Sequence, residues 1–256
     1  MIDIHSHILP GVDDGAENEQ ESIDMAKAAI EDGITAIVAT PHHKNRTYDN
    51  YKEDIVKHVA VLNDLFQSKN IPLTVLPGQE VRIYGEVIED YEKGEIQLVN
   101  DSQYLLVEFP SDSVPHYTEQ LFYDLQLAGI KPVIVHPERN RELLENHDKM
   151  YQLVRKGALS QVTAASVVGK FGKKIQDFSL QLIEANLTHL IASDAHNTTT
   201  RGFHLQEAFE VVKNKYGIDM YYLLLENSNL LVENMNLNRI EPSLIRSKRK
   251  KLFGLF

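Results

Sequence analysis

A chain of 256 residues with 43% hydrophobic and 25% charged side chains has the make-up of an ordinary globular protein, long enough to bury a large core without staples. It contains no cysteine, which excludes disulfides, thiolate metal sites and cysteine nucleophiles. The formal net charge of −11 argues against a protein that wraps nucleic acid.

Helical patterns and short apolar runs alternate along the chain. The run IDIHSH comes first. A helix is expected from about Ser22 to Ile30, stopped at Gly33 before ITAIVAT. Ile55, Val59, Leu62 and Phe66 then recur at i, i+4, i+7 and i+11, one face of a helix that stops at Asn70 before LTVLPGQE. YLLVEFP is the fourth run. Tyr117, Leu121, Leu125 and Ala128 repeat the helical spacing up to Gly129, and IKPVIVHP follows. A helix from about Asn140 to Gly157 precedes ALSQVTA, and another ending near Asn186 precedes LTHLIASDAH. Gly or Asn just past a helix tolerates the left-handed backbone that ends it.

Seven runs alternating with helices or long connections imply βαβ units and a parallel sheet. Without a Gly-rich phosphate fingerprint, a closed or distorted TIM-like α/β barrel suits the pattern better than an open nucleotide-binding sheet. No composition break marks a boundary, so a single domain is expected over residues 1–235, followed by an extension at 236–256. The start MIDIHSHILPG lacks the apolar stretch of a signal peptide, and no run approaches the ~20 apolar residues of a membrane span, so a cytoplasmic protein is expected.

Polar residues gather at the ends of these runs. His5 and His7, at i and i+2, share one strand face. The second run ends at His42 and His43, the third at Glu80, the fourth at Glu108, the fifth at His136, and the seventh at Asp194 and His196. In a parallel barrel those ends converge on the active-site face. Acids and imidazoles crowded there repel or stay unpaired unless divalent cations, which take N and O ligands, resolve the charge. Asp13 and Asp14 in GVDDG are ordinary turn residues; beside such a mouth Asp14 is also a candidate ligand. Arg139 and Arg201 lie within five residues of proposed ligands, and their guanidinium forks match phosphate or carboxylate oxygens. A loop salt bridge is the plainer reading of each alone. Asp3 shares a face with His5 and is a candidate to orient it. His58, His147 and His189 read as ordinary, and spacing does not place His43, His116 or His204.

Taken in order, MIDIHSHILPGVDDGA, ATPHH, LPGQE, LLVEFP, VIVHPERN and IASDAHN resemble the PHP (polymerase and histidinol phosphatase) family of metal-dependent phosphoesterases. The likeness is strongest to the protein-tyrosine phosphatases encoded beside capsule and exopolysaccharide genes in Gram-positive bacteria, and it runs from Met1 to about Glu233. It implies a distorted (β/α)7 barrel with three divalent metal ions, commonly manganese or iron. By that likeness His5, His7, Glu80 and Asp194 hold the first metal. Glu80 bridges to a second held by Glu108 and His136, and Asp14, His42 and His196 hold the third. Arg139 and Arg201 grip the phosphate. The implied substrates are tyrosine-phosphorylated proteins, including a bacterial tyrosine kinase, in polysaccharide synthesis; nucleic acid is not among them. The alternatives are a small-molecule phosphatase, such as one for histidinol phosphate, a metal-dependent nuclease, and a metal-dependent phosphoprotein-binding module without activity. Oligomeric state is not legible from the residues.

The tail SLIRSKRKKLFGLF sets Arg246, Lys248, Arg249, Lys250 and Lys251 beside Leu252, Phe253, Leu255 and Phe256. A solvated chain end is the simpler reading, and peripheral contact with an anionic membrane or a partner is the alternative. On the simpler reading, deleting residues 246–256 leaves co-fractionation with membranes unchanged. A deletion that moves the protein out of the membrane fraction assigns the tail to the membrane.

Overall fold

The computed structural model describes residues 1–245; both readings of the basic tail therefore concern residues outside the described ones. The seven apolar runs form nine strands among the described residues, because two of the runs break. These are β1 (Ile2–Ser6), β2 (Ala36–Ala39), β3 (His42–His43), β4 (Thr74–Pro77), β5 (Glu80–Arg82), β6 (Tyr104–Glu108), β7 (Lys131–Val135), β8 (Leu159–Thr163) and β9 (Leu190–Ala192). Every strand pairing is parallel. The strands fall into two sheets, ordered β1-β2-β4 and β3-β5-β6-β7-β8-β9.

The two breaks explain the division. Pro41, which has no N–H to give a ladder, follows β2, and Gly78 separates β4 from β5. At both places the chain leaves one sheet and enters the other. The far edges also meet. Ser6 and Ala195 form a parallel bridge, His7 N–H donates to the Ala195 carbonyl (2.8 Å) and Asp194 N–H to the His5 carbonyl (2.9 Å). The strand order is therefore cyclic, that of a distorted (β/α)7 barrel, although the ladder does not run unbroken around it.

Helices pack where the periodicity places them. Glu19–Glu31 is capped by the Asn18 side chain, which accepts from Gln20 and Glu21 N–H (3.0 and 3.1 Å). Lys52–Ser68 buries Ile55, Val59, Leu62 and Phe66, the predicted face. Gly33, Asn70, Gly129, Gly157 and Asn186 all take the left-handed conformation expected of helix stops. The expected helix from Asn140 to Gly157 is instead two, Arg141–Glu145 and His147–Arg155, separated at the non-helical Asn146. After β9, Leu205–Tyr216 and Ile218–Val232 complete the helical layer. Past residue 235 the chain stays bonded to the barrel: Tyr104 Oη donates to the Met235 carbonyl (2.6 Å), and Ser243 N–H to the Ala185 carbonyl (2.9 Å). Among the described residues no helix is long and apolar enough to cross a membrane.

Strand alternation sorts the core in two. Ile4, Val38, Tyr104, Leu106, Val133, Val135, Leu159, Leu190 and Ala192 make one buried cluster. Ile37, Leu105, Val107, Ile134, Val162 and Ile191, on the opposite strand faces, join the helices in the other. The first face turns polar at its C-terminal end, where Glu108 follows Tyr104 and Leu106, and Gln161 follows Leu159. In β1 the register shifts between Asp3 and Ser6. Such an irregularity re-aims side chains at a strand end.

Gly78 makes the second break possible. A Cβ there would lie 2.5 Å from Val38 Cγ1, closer than real Cβ contacts come, and 3.1 Å from Thr40 Cγ2, tighter than most. Gly78→Ala is expected to cost about 1–3 kcal/mol through overpacking and to displace Glu80, two residues on. Calorimetric unfolding, read beside metal content, checks both.

Candidate metal centre

The nine proposed ligands come to one mouth at the C-terminal ends of the strands. His5 Nε2 and His7 Nε2 are 3.3 Å apart, each 3.3 Å from Glu80 Oε2 and 3.5 Å from Asp194 Oδ1. His42 Nδ1 lies 2.9 Å from Glu80 Oε2 and 3.8 Å from Glu108 Oε2. Asp14 Oδ1 lies 3.3 Å from His42 Nε2 and 3.5 Å from His196 Nε2. His136 Nε2 sits 2.7 Å from Glu80 Oε1, on the far side of that carboxylate.

Among the described residues, three groups offer donor atoms within 4.8 Å of one another: His5, His7, Glu80 and Asp194; His7, Asp14, His42 and His196; and His42, Glu80 and Glu108. The first is the set implied by the resemblance. The second is the implied set with His7 added. In the third, His42 stands where the resemblance implies His136, which instead meets Glu80 through its other oxygen.

The donor set fits divalent cations on its own chemistry. His5 Nδ1 donates to Gln161 Oε1 (3.0 Å), His7 Nδ1 to Asp13 Oδ2 (2.6 Å) and His196 Nδ1 to the Asp194 carbonyl (3.0 Å). A neutral imidazole with its proton on Nδ1 carries its lone pair on Nε2. The Nε2 atoms of His5 and His7 and the Glu80 and Asp194 oxygens face one another in a buried space. Glu80 Oε2, Glu108 Oε2 and His196 Nε2 find no hydrogen-bond partner among the described residues. Buried acceptors aimed at acceptors are costly unless a cation lies between them.

Protonation follows the same geometry. Burial would raise the pKa values of Glu80 and Asp194, but the His42 charge beside Glu80 and the Arg139 charge beside Asp194 hold both well below the usual range. Both stay anionic. Burial, then the Glu80 charge, pushes Glu108 up to about 7. Burial lowers His136 to about 4, with Arg139 adding to it, and lowers His196 to about 4, with His7 adding to it. Both imidazoles are neutral at pH 7, the form a metal requires.

Two of the proposed ligands sit at sharp backbone turns. His136 has φ +37° and Asp194 φ +53°, left-handed conformations that cost non-glycine residues about 1–3 kcal/mol each. From His136 the chain enters a short 3-10 turn, Pro137–Arg139, which brings Arg139 to the mouth. Glu138 anchors that turn, its Oε1 accepting from Thr163 N–H (3.0 Å) and Ser166 Oγ (2.6 Å). Arg139 Nη2 and Arg201 Nη2 lie 2.6 and 3.0 Å from Asp194 Oδ2. Neither arginine is a plain surface-loop salt bridge, because both face the mouth. They and His42, Glu108 and His136 line a cavity of about 380 Å³.

Sequence reasoning missed three residues. Asp13 is more than a turn residue: besides His7 Nδ1, its carboxylate accepts Gly15 N–H (2.9 Å) and His42 N–H (3.1 Å). Gln161 orients His5, and Arg82 lies 2.9 Å from Glu108 Oε2. Strand alternation from Glu80 to Arg82 was the one signal available for the arginine. Asp3 accepts from Ser193 N–H (2.9 Å) and His5 N–H (3.4 Å), so its hydrogen bonds here steady backbone. His43 is buried against Tyr51, His147 stacks on Phe178, His189 Nδ1 accepts from Ser160 N–H, and His58 and His116 are exposed. His204 pairs with Glu207 at 3.7 Å. Asp13→Ala, which frees the His7 ring, is expected to weaken metal affinity about 10- to 100-fold while the fold holds; metal titration beside circular dichroism checks it.

Residues 1–233 match the family described as "Capsular polysaccharide synthesis, CpsB/CapC". The chain is 53% identical over 256 residues to the tyrosine-protein phosphatase YwqE of Bacillus subtilis, covering all of both chains. It is 43% identical over 255 residues to the putative tyrosine-protein phosphatase CapC of Staphylococcus aureus, again covering all of both. A crystal structure from work on YwqE of B. subtilis and CpsB of Streptococcus pneumoniae, described as unique metal-dependent tyrosine phosphatases, superposes with a TM-score of 0.95 at 52% identity, over 96% of this chain and 100% of that one. The chain belongs to the CpsB/CapC family of capsular polysaccharide synthesis, the capsule-type group that its strand-end pieces resemble.

Proposed function

We propose that this chain is a metal-dependent protein-tyrosine phosphatase that removes phosphate from tyrosine-phosphorylated proteins, among them a bacterial tyrosine kinase, in capsule or exopolysaccharide synthesis. One observation carries the reading: buried imidazole lone pairs and carboxylate oxygens converge around Glu80, beside two arginines that line the same cavity. The activity named for its relatives, two of them similar along the whole chain, supports it.

The residues suit three divalent ions, manganese or iron. His5, His7, Glu80 and Asp194 would hold one. Glu80, Glu108 and His136 would hold a second, and Asp14, His42 and His196 a third. Bound there, such ions lower the pKa of water toward neutrality and offset charge on a phosphoryl group. Arg139 and Arg201 supply donors to the phosphoryl oxygens from the wall near Asp194. Phe109, on the cavity wall, gives the aryl ring an apolar neighbour. The leaving phenol has a pKa of about 10 and departs more readily than an alkoxide, so the reaction does not demand a strong general acid. Without cysteine or an Asp-x-Asp pair, the chain offers no cysteine or aspartyl-pair route to a phospho-enzyme. A cytoplasmic site of action agrees with a phosphorylated kinase as substrate.

His136→Ala or Asp194→Ala is expected to bring phosphotyrosyl-peptide hydrolysis to background while circular dichroism keeps the barrel signature. Chelation should do the same to the unaltered protein, with recovery on adding manganese. Near-normal phosphate release by metal-stripped protein would refute the mechanism. Binding of phosphopeptide without release points to a non-enzymatic module, and preference for histidinol phosphate in direct competition points to a small-molecule phosphatase.

A further inference from the structure

We propose that Arg82 is a third substrate-contacting arginine, binding an anionic oxygen of the substrate on the side of the cavity opposite Asp194; the proposal rests on the phosphatase reading. Arg82 lies in β5, two residues after Glu80, so strand alternation sends both side chains to the mouth. In the parallel register Arg82 is paired with Glu108 of β6. Its Nε lies 2.9 Å from Glu108 Oε2, yet both atoms are buried and neither makes a hydrogen bond among the described residues. Its Nη1 donates only a long bond to the Phe109 carbonyl, at 3.4 Å. The pair is thus held by charge alone, and the guanidinium fork is left without the acceptors it is shaped for.

The side chain is 26% exposed, and the exposed part lines the cavity shared with Arg139 and Arg201. Those two are drawn to Asp194 beyond β9, whereas Arg82 hangs from the β5–β6 side. A half-buried guanidinium with poorly satisfied donors is stabilised when an anionic oxygen arrives. Two parts of one substrate offer that chemistry. One is a phosphoryl oxygen that Arg139 and Arg201 leave uncovered. The other is the carboxylate of an Asp or Glu flanking the phosphotyrosine.

Arg82→Lys and Arg82→Gln test the proposal, each reconstituted with manganese and assayed for metal content. The probes are inorganic phosphate by titration calorimetry, p-nitrophenyl phosphate, and phosphotyrosyl peptides with and without acidic flanks. The expected result is unchanged metal content, kcat little altered and KM raised roughly ten- to hundred-fold in the Gln variant, less in the Lys variant. A phosphoryl contact weakens every probe, including inorganic phosphate. A flanking-carboxylate contact weakens only the acidic peptides. Unchanged KM and phosphate affinity on all probes overturn the proposal, as does a loss that tracks loss of metal. Unaltered protein that releases no phosphate from any probe fails the phosphatase reading instead, and the calorimetric arm still reports on Arg82.

Discussion

The mouth of this barrel is organised by one fully buried carboxylate. Glu80 Oε2 faces His5, His7 and His42, and Oε1 faces His136, so four imidazoles from three parts of the chain converge on a single side chain. Such an acid cannot stay charged in a protein interior without compensation. Hydrogen bonds from protonated histidines supply some of it, but two of these rings spend their Nδ1 protons elsewhere, His5 on Gln161 and His7 on Asp13. In the neutral rings the remaining nitrogens are acceptors. Bringing acceptors to acceptors is unfavourable in a neutral protein and favourable around cations, and the rest of the mouth is built to hold that arrangement.

The holding is done by irregular backbone. The register shift in β1, the proline after β2 and the glycine after β4 each interrupt a ladder where a proposed ligand turns inward. His136 and Asp194 go further and adopt left-handed conformations at the ends of their strand runs. Strain of this kind persists only where the surroundings over-determine it. Glu138 supplies that support on one side, tying the turn after β7 to Thr163 and Ser166. On the other, Asp3 accepts from Ser193 and fastens β1 to the chain just after β9. Two acids spend their charge on backbone so that others can face the cavity.

Asp194 links the proposed metal ligands to the two arginines. Its Oδ1 faces His5 and His7, while both arginines reach Oδ2. One carboxylate thereby sets the spacing between cation ligands and guanidinium groups. Arg82, on β5, lines the same cavity from the side of β5 and β6.

Much of this is legible in the order of residues. Helix faces, helix stops and seven apolar runs follow from local periodicity and from the conformational freedom of Gly and Asn, and both act over a few residues. Polar side chains at six run ends point to a metal mouth, because parallel strands must bring those ends together. What local pattern cannot carry is partnership across the barrel. Asp13 looks like its neighbour Asp14 until the fold sets one behind His7 and the other in front of His42. Gln161 looks like any strand residue until β8 lies opposite β1. His42 and His136 share strand-end positions, yet only the twist of the two sheets decides which of them joins Glu108 beside Glu80. Local chemistry determined which residues are able to bind, whereas the placement of strands distant in sequence decided which atoms face each other, since an oxygen or nitrogen becomes a ligand only through what lies a few ångströms away.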